Sequence, residues 1–216
     1  MKPASAMLAI CLACNALRAD PQMPRGQLPP VDVVHDAAWQ GLLAQLAKSE
    51  FRAGPFEERR YFPFRRKPVL LAGEIRIAPG RGLSLGYVTP ESQTVIADDR
   101  GLLLRDSRGR DRAAPAGTRA QAATAVLVHV LRFDLPELQK TFVFSGRRDG
   151  DAWILSLASR DPSLTAGLAT IVLSGGRATL SRIDLVVSPA QHVEIRLGPS
   201  RVGVPFTQDE LIRYFR

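Results

Sequence analysis

Apolar residues along this chain repeat with two different periods. Between Ala37 and Lys48 the positions Ala38, Leu42, Leu43 and Leu46 recur at helical spacing, and Asp36 stands where an N-cap belongs, so one amphipathic helix is predicted there. Gly54-Pro55 is read as the end of this helical region. From Phe56 the period falls to two. Val69, Leu71, Gly73, Ile75 and Ile77 alternate with Leu70, Ala72, Glu74, Arg76 and Ala78, as in a strand with one buried face. Further strands are expected at 83–88, 94–97 and 102–106, with turns at Asp99-Arg100-Gly101 and Ser107-Arg108-Gly109, so this half reads as an antiparallel meander.

An alanine-rich helical stretch over 119–132 interrupts the strands, with Ala120, Ala123, Leu127, Val130 and Leu131 along one face, and Leu135-Pro136-Glu137-Leu138 adds a short helical turn. Strands then resume at 141–147, 152–159, 168–174, 178–187 and 191–197. Asp149-Gly150 and Gly175-Gly176 are expected to form the tight hairpin turns among them. Thr207 and Glu210 spell a capping box, which opens a short C-terminal helix. So many antiparallel strands must curl or close, and two helices with apolar stripes need an apolar surface beneath them. The predicted fold is mainly β with α: a curved, half-open antiparallel barrel covered by helices, able to enclose a cavity.

The first residues change the cellular setting. Lys2 precedes an apolar run from Ala4 to Ala13, and small residues lead to Asp20-Pro21, the order expected of a secretory signal peptide cleaved after Ala19. That divides the chain into a signal peptide over 1–19, an extended proline-rich lead-in over 20–35 and one domain over 36–216, placed in the periplasm. Leu12-Ala13-Cys14 also resembles the end of a lipobox, which would anchor the protein to a membrane through Cys14. Cys11 and Cys14 spell C-x-x-C but lie inside the segment to be removed, so neither disulfide nor thiolate metal chemistry is expected.

Twenty-nine basic against 21 acidic residues give +8, and removal of Lys2 and Arg18 leaves +6. Such a surface attracts anionic membranes or acidic partners. The arginines are scattered without a stripe of interleaved aromatics, so nucleic acid is not an expected partner. Arg59-Arg60, Arg65-Arg66-Lys67 and Arg147-Arg148 read as solvated strand ends or turns.

Catalytic motifs are few. Gly82-Leu83-Ser84-Leu85-Gly86 matches the G-x-S-x-G nucleophile elbow, and Asp134 and His192 follow in triad order. Tyr87-Val88-Thr89-Pro90 continues a strand where the elbow needs a helix, so a serine hydrolase acting through Ser84 is the less favoured reading and no enzyme is expected. His35, His129 and His192 lack metal-ligand spacing, and Asp98-Asp99 fits a hairpin turn, so no metal or other cofactor is expected.

Several of these segments are similar to the LolA-like lipoprotein carriers. Phe56-Glu57-Glu58-Arg59 resembles the family's F-x-E/Q strand, and Gly73-Glu74-Ile75-Arg76-Ile77 its G-x-L/F strand. Pro79-Gly80, Leu83 to Leu85, Pro90 and Val95-Ile96 fall at the spacing of the segment that follows. In the second half, Asp151-x-Trp153-x-Leu155-x-Leu157 and Ala169 to Leu173 resemble its W-x-L-x-P and i-x-i-x-L strands. The resemblance runs from about 36 to 206 and rests on order and spacing.

It implies a monomeric carrier whose apolar interior takes the acyl chains of a lipoprotein or other lipidated cargo from an inner-membrane transporter and delivers them to an outer-membrane receptor. The alternative it leaves open is a LolB-like receptor anchored through Cys14. The lining residues it implies are Val69, Leu71, Ile75, Ile77, Leu83 and Leu85 from the first strands, Leu127, Val130 and Leu131 from the helix, and Trp153, Leu155 and Leu157 from the later strands. Where the family carries an arginine facing the lid this chain has Pro79, and Arg76 and Arg81 are the nearby candidates for lid contact. An aromatic usual at the Leu85 position is absent.

Overall fold

The computed structural model describes residues 27–48, 50–113, 126, 128–161 and 168–216. The expected signal peptide, Leu127 and most of the alanine-rich helical stretch lie outside these residues.

The first helix, α1 (Ala37–Leu46), begins where Asp36 accepts hydrogen bonds from the backbone N–H groups of Ala38 and Trp39, and it buries Trp39, Leu42, Leu43 and Leu46. Six strands follow: β1 (Arg52–Tyr61), β2 (Val69–Ala78), β3 (Gly82–Thr89), β4 (Gln93–Asp98), β5 (Gly101–Asp106) and β6 (Asp111–Ala113). Residues 128–132 are helical, and α2 (Leu135–Thr141) leads into β7 (Phe142–Asp149), β8 (Ala152–Ser159), β9 (Thr170–Gly176), β10 (Thr179–Ser188) and β11 (Gln191–Leu197). A two-residue β12 (Arg201–Val202) and α3 (Gln208–Tyr214) close the described chain.

All twelve strands form one antiparallel sheet in the order β6-β5-β4-β3-β2-β1-β11-β10-β9-β8-β7, with β12 beside the start of β1. Two meanders are thus joined where the first strand meets β11. The sheet does not close, and its two edges are managed differently. β6 is short and fully exposed, with Asp111 and Arg112 on it. β7 is covered by the proline-rich lead-in: Pro30 bridges Ser145, Val31 donates to the Phe144 carbonyl and Gly146 donates to the Pro29 carbonyl. Residues 29–31 are therefore part of the sheet's edge.

Curvature follows from the reach of α1. A ten-residue helix is about 15 Å long. β2 and β7 are six strands apart, roughly 29 Å in a flat sheet. Yet Trp39 fills the space over Gly146 on β7, and Arg148 of β7 donates to the Ala38 carbonyl at 2.7 Å, while Leu46 shares a compartment with Ile77 of β2. The sheet must curl around the helix for both contacts to exist. This is a half-open barrel with helices against its inner face.

Residue register assigns the two faces. Ile75 pairs with Leu85, Ile77 with Leu83, Leu155 with Leu173 and Ile183 with Ile195, and all of these side chains except the half-buried Ile77 are buried in the main core. The outer face carries a second, smaller core. Ala53 and Ala78 sit there beneath Phe206 and Phe215, where α3 lies across the first meander.

Two turn expectations need correction. Gly54-Pro55 lies inside β1, at the gap between β12 and β11, where a proline without an N–H removes no bond of that ladder. Gly175-Gly176 belongs to β9, and the turn falls at 177–178, with Arg177 at φ +51°. Gly175 is needed in the strand because a Cβ there would stand 1.9 Å from the Thr179 carbonyl oxygen and 2.8 Å from the Trp153 ring.

Candidate functional site: the apolar mouth of the sheet

The strand directions gather specific residues at one end of the inner face. β1 begins there with Arg52 and β2 ends there with Ile77, while the turn into β10 brings Leu180 and the end of β11 brings Leu197. The last turn of α1 and residues 131–136 cross above them. Between these layers are two adjoining compartments of about 470 and 590 Å³, which share Lys48, Glu50, Arg52, Ile77 and Leu131. Cavities of roughly 300–1,000 Å³ are the size that holds small organic ligands.

The larger compartment has an apolar wall of Ile75, Ile77, Leu131, Leu180 and Leu197, with a rim of Lys48, Glu50 and Arg52. The smaller one adds Asp99, Arg132 and Asp134, and Arg132 stands 3.8 Å from Asp99. A lining that combines aliphatic side chains with charged ones suits an amphiphile, whose tail and polar end need different surroundings.

Of the lining residues expected from sequence, Ile75, Ile77 and Leu131 bound these compartments. Leu83, Leu85, Val130, Trp153, Leu155 and Leu157 do not border them; with Ile75 and Leu131 they belong to the main core, each less than a tenth exposed. Leu71 packs against that core from a half-buried position, Val69 is half-buried at the far end of β2, and Leu127 lies outside the described residues. Neither arginine named for lid contact faces the helices over the inner face. Arg76 is on the outer face because it follows Ile75 by one residue. Its guanidinium lies 3.6 Å from the centre of the Tyr214 ring of α3. Arg81 is exposed in the β2–β3 turn.

At the other end of the inner face is a polar cluster that the sequence reading did not find. Glu58 is buried among apolar neighbours, accepts a hydrogen bond from the Tyr87 hydroxyl at 2.7 Å, and is paired with Arg60. Burial, together with the negative Glu58 beside it, pushes the Tyr87 hydroxyl well above its ordinary value, so it stays a donor. Phe56 packs edge-on against the same ring at 5.2 Å. Arg60 is therefore half-buried and paired with a buried carboxylate, where a solvated strand end was expected of Arg59-Arg60. The available signal was its parity, since Phe56, Glu58 and Arg60 share a face. The mouth residue Arg52 shares that parity too, but the misplaced break at Gly54-Pro55 hid it.

The triad suggested by the elbow motif is not assembled. Ser84 is fully buried on the outer face of a continuous strand, and its hydroxyl has no hydrogen-bond partner among the described residues. Asp134 meets His129 at 3.1 Å, and His192 stacks on Tyr61 at 4.1 Å.

No protein-family model matches the chain, and no curated protein does. Solved structures do. A chain of the Pseudomonas aeruginosa MucA/MucB complex is similar at 18% identity and TM-score 0.46, over 81% of this chain and 59% of that one. A crystal structure of MucB matches at 16% identity and TM-score 0.48, over 82% and 63%. A LolA superfamily protein from Nitrosomonas europaea matches at 10% identity and TM-score 0.42, over 80% and 96%. The chain thus spans about three-fifths of the length of the MucB structures it matches. The superfamily that the sequence resembles is among the structures to which it is similar. With all three scores below one half, the fold stands on this chain's own strand order and register.

Proposed function

We propose that this protein is a non-enzymatic carrier that holds the acyl chains of a lipidated cargo in the mouth of its half-open barrel. The supporting observation is that Ile75 and Ile77 from the sheet and Leu131 from the covering segment bound a compartment of about 590 Å³. A partly open space of this size, walled in part by aliphatic side chains, is large enough to take an acyl chain. Each methylene that leaves water for such a space gains about 0.8 kcal/mol, enough for a long chain to be held without a charged contact.

In this reading the cargo is a lipoprotein or another acylated lipid, carried through the periplasm between an inner-membrane donor and an outer-membrane acceptor. Native mass spectrometry of the protein purified from its own envelope is expected to show a retained lipid. Protein that is lipid-free in that preparation and takes up no fluorescent fatty acid would overturn the proposal. The mass of the mature N-terminus distinguishes release after Ala19 from lipidation at Cys14, and with it the shuttling carrier from the anchored receptor.

A further inference from the structure

The β1–β2 connection, residues 62–68, reads Phe62-Pro63-Phe64-Arg65-Arg66-Lys67-Pro68. Its geometry is fixed: the Arg65 N–H donates to the Phe62 carbonyl at 3.1 Å, closing a turn with Pro63 at the position where its preset φ is favoured. The turn presents Phe64 to solvent at 82% exposure, stacked on Phe62 with ring centres 5.4 Å apart. Arg65, Arg66 and Lys67 are exposed, and none forms an ion pair among the described residues. On the neighbouring strands at the same end, Leu70 is 60% and Val88 68% exposed. A turn kept only for solubility needs the cations. It does not need a rigidly presented aromatic with two large aliphatic side chains nearby.

We propose that this hairpin docks the protein on an anionic lipid bilayer, with Phe64 entering the interface and Arg65, Arg66 and Lys67 meeting the headgroups. A bilayer surface combines shallow apolar depth with negative charge, and it accepts a protruding side chain without a complementary pocket. An acidic protein would have to supply such a pocket. The formal charge of +6 remaining after the expected cleavage adds long-range attraction of the same sign. Because β1 has ten residues, the hairpin lies roughly 30 Å from Arg52 at the mouth. A docked molecule therefore keeps its mouth off the membrane that holds it, open to a second partner. The hairpin is a tether, distinct from the lipid compartment.

The test is co-sedimentation of the mature chain with vesicles of phosphatidylglycerol and phosphatidylcholine, against vesicles of phosphatidylcholine alone. Binding to the anionic vesicles is expected, weakened by added salt. Each cation near such a surface contributes about fivefold, so a combined Arg65→Gln, Arg66→Gln, Lys67→Gln variant should bind on the order of a hundredfold more weakly. Phe64→Ala should lose roughly tenfold from the apolar contribution alone. In Phe64→Trp, the introduced indole should shift its emission to the blue on vesicle addition. All four sites are exposed, so the variants should keep the wild-type circular dichroism and fatty-acid uptake, which separates this test from that of the carrier. The tether is overturned by wild-type binding that does not distinguish the two vesicles, by a triple variant that binds as well as wild type, or by an unshifted indole. Loss of an acidic protein partner from the triple variant, with vesicle binding intact, would reassign the hairpin to that protein.

Discussion

Ile77 is one residue from the end of β2 and bounds both compartments, half-buried. An Ile77→Glu substitution places a carboxylate where a methylene chain would lie, and it must either be desolvated or exclude the tail. Fatty-acid affinity should fall by roughly tenfold or more, read by displacement of a fluorescent probe, with an unchanged β-rich spectrum. Ser84 tests the opposite expectation. Its hydroxyl is fully buried without a partner among the described residues, and such a group costs folding free energy while supporting no proton transfer. Ser84→Ala should raise stability by up to about 1 kcal/mol in a denaturant titration. A loss of ester turnover on that change would restore the hydrolase reading.

At the scale of elements, α3 is a strap over the outer face whose ends are fixed by polar contacts. Thr207 and Glu210 form the expected capping box, with bonds of 3.2 and 2.8 Å. Arg105 of β5 reaches the carbonyls of Ile212, Arg213 and Phe215, the acceptors that a helix C-terminus leaves unpaired. Arg216 binds Asp98 through two bonds of 2.7 and 2.6 Å. That guanidinium holds the Asp98 carboxyl below its ordinary value of 3.8. A lowered folded-state value means the contact stabilises the strap above pH 3.8 and is lost as pH falls from there through the folded value. Amide protection over 208–216, corrected for intrinsic exchange, should therefore fall below about pH 4, before the main core opens, and Arg216→Gln should weaken that dependence.

For the whole molecule, the compartments make stability depend on occupancy. A ligand that binds only the folded chain stabilises it by about 2.7 kcal/mol at a hundredfold excess over its dissociation constant. Extracting lipid from the purified protein should thus lower its melting temperature, and adding back a long-chain fatty acid should restore it. Equal melting temperatures before and after extraction would point to a filled core.

How much of this was legible in the sequence can be seen at particular residues. Period-two alternation placed Ile75 and Ile77 on the inner face, and the capping box located α3, because each depends only on neighbours a few residues away. The resemblance named the half-open barrel and its apolar lining. It could not say that, of three buried leucines in one core, Leu131 also borders a space while Leu155 and Leu157 do not, since only the fit between helix and curled sheet separates them. Parity put Arg76 opposite Ile75, but its partner Tyr214 lies 138 residues away and is brought over it by α3. Glu58 was hidden for a similar reason: a carboxylate at an inner position becomes tolerable only once Tyr87 and Arg60 converge on it. The sequence by itself determined most of the elements, the faces of β2 and the need for covering helices, because these follow from short-range periodicity. Tertiary structure decided where packing stops and a compartment begins, because that is set by curvature and by contacts between residues distant in the chain.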